Sequence, residues 1–193
     1  VETALTVALM VNAKPANEIH VMRKTVIDGS NTTGFQRTCV VALSGDIEIE
    51  DKQVPIQLIA LEEDAARKMG EEAGGKTIRY RIDRLGIPLI EVTTGPVLHT
   101  PQEAEKTALT IGRILRATGK VKRGLGTIRQ DLNISITEGA LIEIKGVQEL
   151  ELLSKVVEYE VQRQLNLVKL RDELKQRGIN EHTLSSEPVD VTK

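Results

Sequence analysis

A chain of 193 residues is long enough for one substantial core, or one core with a helical appendage. With 40% hydrophobic and 28% charged residues, no apolar run of membrane-spanning length and no signal-peptide pattern, it reads as a soluble globular protein. A net charge of −2 excludes a whole-molecule positive field that would draw in nucleic acid, and the single Cys39 excludes a disulfide framework or a cysteine-rich zinc site. The compartment expected is the cytoplasm, with no membrane partner. Phe35, Tyr80 and Tyr159 are too few aromatics for a base-stacking platform, so any RNA contact would have to run through shape and phosphates, or through another part of the protein.

In chain order, residues 1–13 carry good helix formers up to Pro15 and predict a helix. The start at Val with a helical pattern already running suggests a piece of a longer chain. From residue 17 onward β-branched residues rise, and turn signals recur at Asp28-Gly29-Ser30-Asn31 and Ser44-Gly45-Asp46. Ile47 and Ile49 alternate with Glu48 and Glu50, and Asp51-Lys52 turns this strand into a longer arm over 54–61. "EEAGGK" reads as a loop, 77–83 as an alternating strand, and "GIPLIEVTT" as a buried one. Thr100-Pro101-Gln102-Glu103 is a capping box opening a helix to about Thr118, with Gly119 as its stop.

"GTIRQDLNISI", residues 126–136, alternates as a strand whose polar face carries Arg129, Asp131 and Asn133. Lys and Glu are the usual choice for a solvated face, and short Asp and Asn are poor strand formers. A three-residue loop, Thr137-Glu138-Gly139 with Gly in the left-handed position, would set Asn133 opposite Glu143 and Asp131 opposite Lys145. A long charged helix is expected from about 147 to 177, with an apolar stripe of Leu150, Leu153, Val157, Val161 and Leu165. The fold class is α+β, an antiparallel sheet with packed helices. One domain spans 1–178, and 179–193 reads as a linker or edge strand.

Two further acidic stretches stand out: Glu91 interrupts an apolar strand, and Glu62-Glu63-Asp64 follow one directly. Solvated faces, strand-end turns and salt bridges from Glu91 to Arg79, Arg81 or Arg84 would explain these without chemistry. If Glu63, Glu91, Asp131 and Glu143 shared one cleft, carboxylates about 4 Å apart would repel by roughly 4 kcal/mol at an effective dielectric near 20. Oxygen-only donors with nearby Arg and Lys point to Mg²⁺ or Mn²⁺ beside a phosphoanhydride, and to phosphoryl transfer. No Walker or kinase glycine-rich loop occurs. His20, His99 and His182 are isolated, and Cys39 reads as core.

"MRKTVIDGSNTTGFQRT" (22–38), "LEEDA" (61–65), "DRLGIPLIEVTTGP" (83–96), "GTIRQDLNISI" and "IEIKGVQELELL" (142–153), in this order, resemble the catalytic cradle of the tRNA-dependent amidotransferases, in the group formed by their B-type and E-type subunits. "IDGSNTTGFQR" is similar to the archaeal E-type form rather than the bacterial B-type form, which has a Tyr-x-Asp-Leu-Pro pattern there. The resemblance implies a ligase that uses ATP and Mg²⁺ to phosphorylate the glutamate of Glu-tRNA(Gln). Ammonia from an asparaginase-like amidase partner, the D-type subunit, then displaces the phosphate, within a heterotetramer containing a homodimer of this chain. By motif match it implies Glu91, Asp131 and Glu143 as catalytic carboxylates. Glu63, Glu91 and Asp131 become metal ligands, with Glu62 the fallback for Glu63. Arg23, Lys24, Ser30, Arg129 and Lys145 become contacts to ATP or the aminoacyl end. The family's opening Gly-Leu-Glu-x-His segment, helical tail domains and inserted synthetase-like domain have no counterpart here, so the piece alone is expected to be inactive. The alternatives are a non-catalytic scaffold docking tRNA and a partner, and a different ATP-dependent ligase.

Overall fold

The computed structural model describes residues 1–27, 29–72, 74, 77–183 and 188–190. Asp28 of the expected 28–31 turn, Ala73, Gly75 and Lys76 of the expected loop, and 184–187 and 191–193 of the expected linker lie outside the described residues. The architecture is α+β with antiparallel sheets, as the sequence predicts. Two compact units are present, 1–127 and 128–193, and each is described by itself. Among the described residues no helix is long and apolar enough to cross a membrane.

The first unit opens with α1, Glu2–Met10, shorter than the predicted 1–13 because Val11 caps it and Asn12 turns with φ +54. Strands β1 (Lys14–Pro15) and β2 (Met22–Thr25) pair with the same neighbour, β3 (Phe35–Ile49). A turn at Glu50-Asp51 leads into β4 (Lys52–Glu63), the hairpin predicted from the Ile47/Ile49 alternation. β5 (Arg67–Glu72) and β6 (Thr77–Arg81) form a separate two-stranded sheet, and β7 (Pro88–Thr94) returns to pair with β4. The expectation that "GIPLIEVTT" is buried is corrected. Among the described residues β7 is an edge strand that pairs with β4 alone; most of it is half-buried and Glu91 is exposed.

Apolar residues of α1 (Ala4, Val7, Ala8), β3 (Val41, Ala42, Ile47) and β4 (Val54, Ile56, Ile59) form the core of this unit. Cys39 is buried within it, as predicted. One glycine is required by a close approach rather than a turn. A Cβ on Gly45 would lie 2.5 Å from the Val11 carbonyl oxygen and 2.8 Å from Ala13 Cβ. The next residue, Asp46, donates its N–H to that same carbonyl at 2.8 Å.

Helix α2, Pro101–Ala117, has the predicted capping box: the Glu103 N–H donates to Thr100 Oγ1 at 3.2 Å. Gly119, with φ +68, stops it. Glu103 also accepts the His99 N–H at 2.7 Å and Lys52 Nζ at 2.9 Å, tying the helix start to β4. The His99 amide, then Lys52, then the Thr100 amide hold the Glu103 carboxyl down to about 2. Its folded-state pKa lies below its unfolded value, so the stabilisation is complete above about pH 4.5 and is lost as pH falls toward 2. We expect Glu103→Gln to flatten the melting temperature's dependence on pH between 5 and 2. An unchanged slope, measured by circular dichroism, would count against this tie.

In the second unit β8 (Gln130–Ile134) pairs with β9 (Ile142–Val147), and α3 (Leu150–Gln176) packs on them until Gly178, φ +72, stops it. The strand expected over 126–136 is only five residues long, because Gly124 and Gly126 hold positive φ and bend the chain before it. The connecting loop is seven residues, 135–141, rather than three. Glu138 takes the left-handed position (φ +68), and Gly139 is needed for space instead: a Cβ there would lie 2.4 Å from Gln164 Oε1.

The buried stripe of α3 also departs from expectation. Leu153 is fully buried, but Glu160 and Gln164, not Val161 and Leu165, continue the stripe. The Glu160 carboxylate and the Gln164 amide nitrogen are hydrogen-bonded there, whereas Gln164 Oε1 is buried without a partner. Arg163 donates to Glu160 at 2.8 and 2.9 Å, and Gln164 Nε2 donates to Glu160 at 2.8 Å and to the Ile134 carbonyl at 3.2 Å. The Arg163 guanidinium is the main reason the Glu160 carboxyl sits below the usual carboxylate range.

Candidate functional site

Strand register decides which predicted residues can act together in the first unit. Thr38 pairs with Glu62 and Glu62 with Leu89, while Ala60 pairs with Glu91 and Val40. Paired residues share a sheet face and successive residues alternate. Glu62 and Glu91 therefore lie on one face, as diagonal neighbours with Cα atoms about 7–8 Å apart. Ala60, opposite Glu91, leaves room between them. Glu63 pairs with Pro88 and lies on the other face. The expected grouping of Glu63 with Glu91 on one face is corrected: an odd step along β4 separates them, and it is Glu62 that shares the Glu91 face.

Glu62 is held in position. Lys24 Nζ lies 2.5 Å from Oε1, Gln36 Nε2 donates to Oε2 at 3.2 Å, and Thr38 Oγ1 lies 3.5 Å from Oε1. Its side chain is only 12% exposed. Lys24 reaches it from the edge strand across β3, because Lys24 pairs with Gln36. Glu63 instead accepts the Arg37 N–H and a guanidinium N–H, both at 3.0 Å. On that opposite face Arg23 pairs with Arg37, and both guanidinium carbons lie over the Phe35 ring, at 5.1 and 5.9 Å from its centre. The predicted ligand contacts Lys24 and Arg23 thus face opposite ways.

Gln36 and Thr38 are absent from the residues that the sequence singles out. Their parity along β3 matches Lys24 and Glu62, but the signal emerges only once β2, β3 and β4 are aligned. Ser30 lies in the loop between β2 and β3. Tyr80 donates its hydroxyl to the neighbouring Gly29 carbonyl at 2.6 Å. Of the arginines weighed as partners of Glu91, Arg81 pairs with Asp83 at 3.0 Å and Arg84 with Asp64 at 3.5 Å.

In the second unit Asn133 does pair with Glu143, as predicted. The expected pairing of Asp131 with Lys145 is displaced by a bulge. Gln130 pairs with Val147 and Leu132 with Ile144, so Lys145 and Gly146 together oppose Asp131. Gly146 takes φ +77, and its N–H donates to Asp131 Oδ1 at 3.2 Å. Lys145 lies 3.4 Å from Glu143 along its own strand. Asp131, Asn133, Glu143 and Lys145 are all exposed. Arg129, also exposed, immediately precedes β8.

The donors on the Glu62 face suit a hard divalent cation. Glu62 and Glu91 offer carboxylate oxygen alone, and Mg²⁺ takes one or two protein carboxylates and completes its shell with water and phosphate. Among the described residues no group of three His, Cys, Asp or Glu side chains converges within either unit.

The α+β fold thus sets two carboxylates and a clamped lysine on one face of its main sheet. The chain matches the family described as GatB/GatE catalytic domain over residues 1–191 and belongs to it. It is 60% identical over its whole length to the E-type subunit of glutamyl-tRNA(Gln) amidotransferase from Aeropyrum pernix. Identity to the proteins of the same name is 57% over 98% of the chain for Pyrobaculum calidifontis and 59% over 91% for Archaeoglobus fulgidus. The chain spans 28–31% of the length of these relatives.

Proposed function

We propose that this chain supplies the catalytic surface of a tRNA-dependent amidotransferase acting on Glu-tRNA(Gln), in the cytoplasm. The observation that carries the reading is the shared face of Glu62 and Glu91 beside Lys24, in a chain so similar to subunits of that enzyme. Glutamate's side-chain carboxylate attacks the γ-phosphorus of ATP and ADP leaves. Ammonia then attacks the acyl carbon, phosphate leaves, and a proton is lost to give the amide. Ammonia comes from an asparaginase-like amidase, the D-type subunit, in a heterotetramer that contains a homodimer of this chain.

Glu62 and Glu91 would hold Mg²⁺, which supplies charge neutralisation at the transferring phosphoryl group. Lys24 is placed to meet phosphate oxygens as a point charge, its orientation set by Glu62. Asp131 and Glu143 provide carboxylates that orient the incoming ammonia and accept its proton. Arg129, Lys145 and Ser30 are assigned to the aminoacyl end. Arg23, on the Phe35 face, is assigned to RNA rather than to ATP.

The test uses the full-length protein with its amidase partner. ATP consumption should require Glu-tRNA(Gln), and Asp131→Asn should cut amide formation at least about tenfold. Asn retains an oxygen for the Gly146 N–H, so the bulge survives and only the charge is lost. A scaffold role is the competing reading, favoured by the pairing of Glu62 with Lys24 and of Glu63 with Arg37. ATP turnover independent of RNA, or an unaffected Asp131→Asn enzyme, would decide for it.

A further inference from the structure

The β5–β6 hairpin carries a charge distribution that the chemistry above does not use. Residues 67–84 hold six Lys and Arg against three Asp and Glu, in a chain whose net charge is −2. Register concentrates part of that charge on one side. Arg67 pairs directly with Arg81, and Arg79 pairs with Gly70, with Met69 as the extra residue of a bulge. Since Arg79 and Arg81 are two apart on an unbroken strand, Arg67, Arg79 and Arg81 share one face. All three are exposed.

Like charges directly opposed across two strands destabilise the pairing. Asp83 lies 3.0 Å from Arg81 and offsets part of this cost. The hairpin pairs with no other strand among the described residues, and an isolated two-stranded ribbon is marginal in water. Its other face supplies an anchor: Tyr80 shares that face with Lys68, and its hydroxyl donates to the Gly29 carbonyl at 2.6 Å. One face thus braces the ribbon through the loop that holds Ser30, and the other presents planar, permanently charged forks.

Guanidinium groups in such a row suit phosphate oxygens, which they meet with paired N–H donors. The alternation spaces Arg79 and Arg81 about 6.8 Å apart along the strand, a repeat suited to successive backbone phosphates rather than to one small anion. From this placement we infer that the Arg67–Arg79–Arg81 face of the β5–β6 hairpin docks the sugar–phosphate backbone of RNA. It contributes affinity and orientation without reading sequence. The inference rests on the RNA substrate proposed above but concerns a surface outside the Glu62–Glu91 face. It also reconciles an acidic chain with an RNA substrate: the attraction is local to one arm.

The experiment measures binding of unacylated tRNA(Gln) to the full-length assembly by fluorescence anisotropy across 50–400 mM KCl. Each phosphate contact contributes about 0.7–0.9 to the slope of log affinity against log salt. Replacing the three arginines (R67A/R79A/R81A) should lower that slope by about 2 and weaken binding roughly 10- to 100-fold at physiological salt. KM for the aminoacylated tRNA should rise while kcat is retained. The charge-preserving R67K/R79K/R81K variant should keep the slope. An unchanged slope and Kd in the alanine variant overturns the inference while leaving the proposed function intact. Loss of assembly with the amidase at an unchanged slope also overturns it, assigning the face to an acidic protein partner. A wild-type assembly that does not bind tRNA overturns both.

Discussion

Replacing Glu62 by Gln in the full-length enzyme should lower kcat for ATP-dependent amidation by about 100-fold or more, whereas Glu63→Gln should change it less than about threefold. The two residues are adjacent and chemically identical. Strand pairing distinguishes them, because the β4–β7 register puts Glu62 on the Glu91 face and Glu63 on the other. Removing one preorganised charge that acts on a developing transition-state charge costs about 10²–10³ in rate. Glu63 instead pairs with the exposed Arg37, and such a surface pair contributes about 0–1 kcal/mol to stability. Glu91→Gln should resemble Glu62→Gln, and Mn²⁺ affinity should fall in both, by about 10- to 100-fold. Equal effects at positions 62 and 63, measured as single-turnover rates, would falsify the assignment of faces.

The second large effect concerns folding. Gly45→Ala should destabilise the chain by about 3 kcal/mol, the upper end of the range for overpacking a filled site. The added methyl would meet the Val11 carbonyl oxygen at 2.5 Å and Ala13 at 2.8 Å, and neither is the far end of a flexible side chain. Relief requires moving the segment after α1 away from β3, which also breaks the Asp46–Val11 hydrogen bond. A melting temperature lower by roughly 10 °C is expected from thermal unfolding. A drop below about 2 °C would show that the segment yields freely and that the close approach is unimportant.

Much of the architecture is legible where local chemistry is decisive. The capping box at Thr100, the glycine stops at 119 and 178 and the Ile47/Ile49 hairpin all depend on residues near one another in sequence. β5 escapes such a reading because Arg67–Glu72 carries charge and no alternation of apolar residues, and its pairing with β6 is a tertiary matter. Glu91 reads as buried because its neighbours are apolar, but whether a strand lies at the edge of a sheet is decided by topology alone. In the second hairpin the register next to the loop is the expected one, and only the bulge opposite Asp131, where Gly146 takes φ +77, departs from it.

The candidate carboxylates are legible as residue types and not as partners. Nothing local in "LEEDA" says which of its first two acids faces Glu91. That choice is made by hydrogen bonds between strands far apart in the chain. Gln36 and Thr38 gain their role in the same way, as neighbours created by β2 and β4 on either side of β3.

β2 has a further consequence. It borders the main sheet with all four residues exposed, so its outer backbone groups could template a foreign strand. Arg23 and Lys24 guard against that outcome, since two copies meeting antiparallel along this edge would oppose cation to cation. Such electrostatic protection suppresses aggregation at the border while leaving it open to negatively charged molecules.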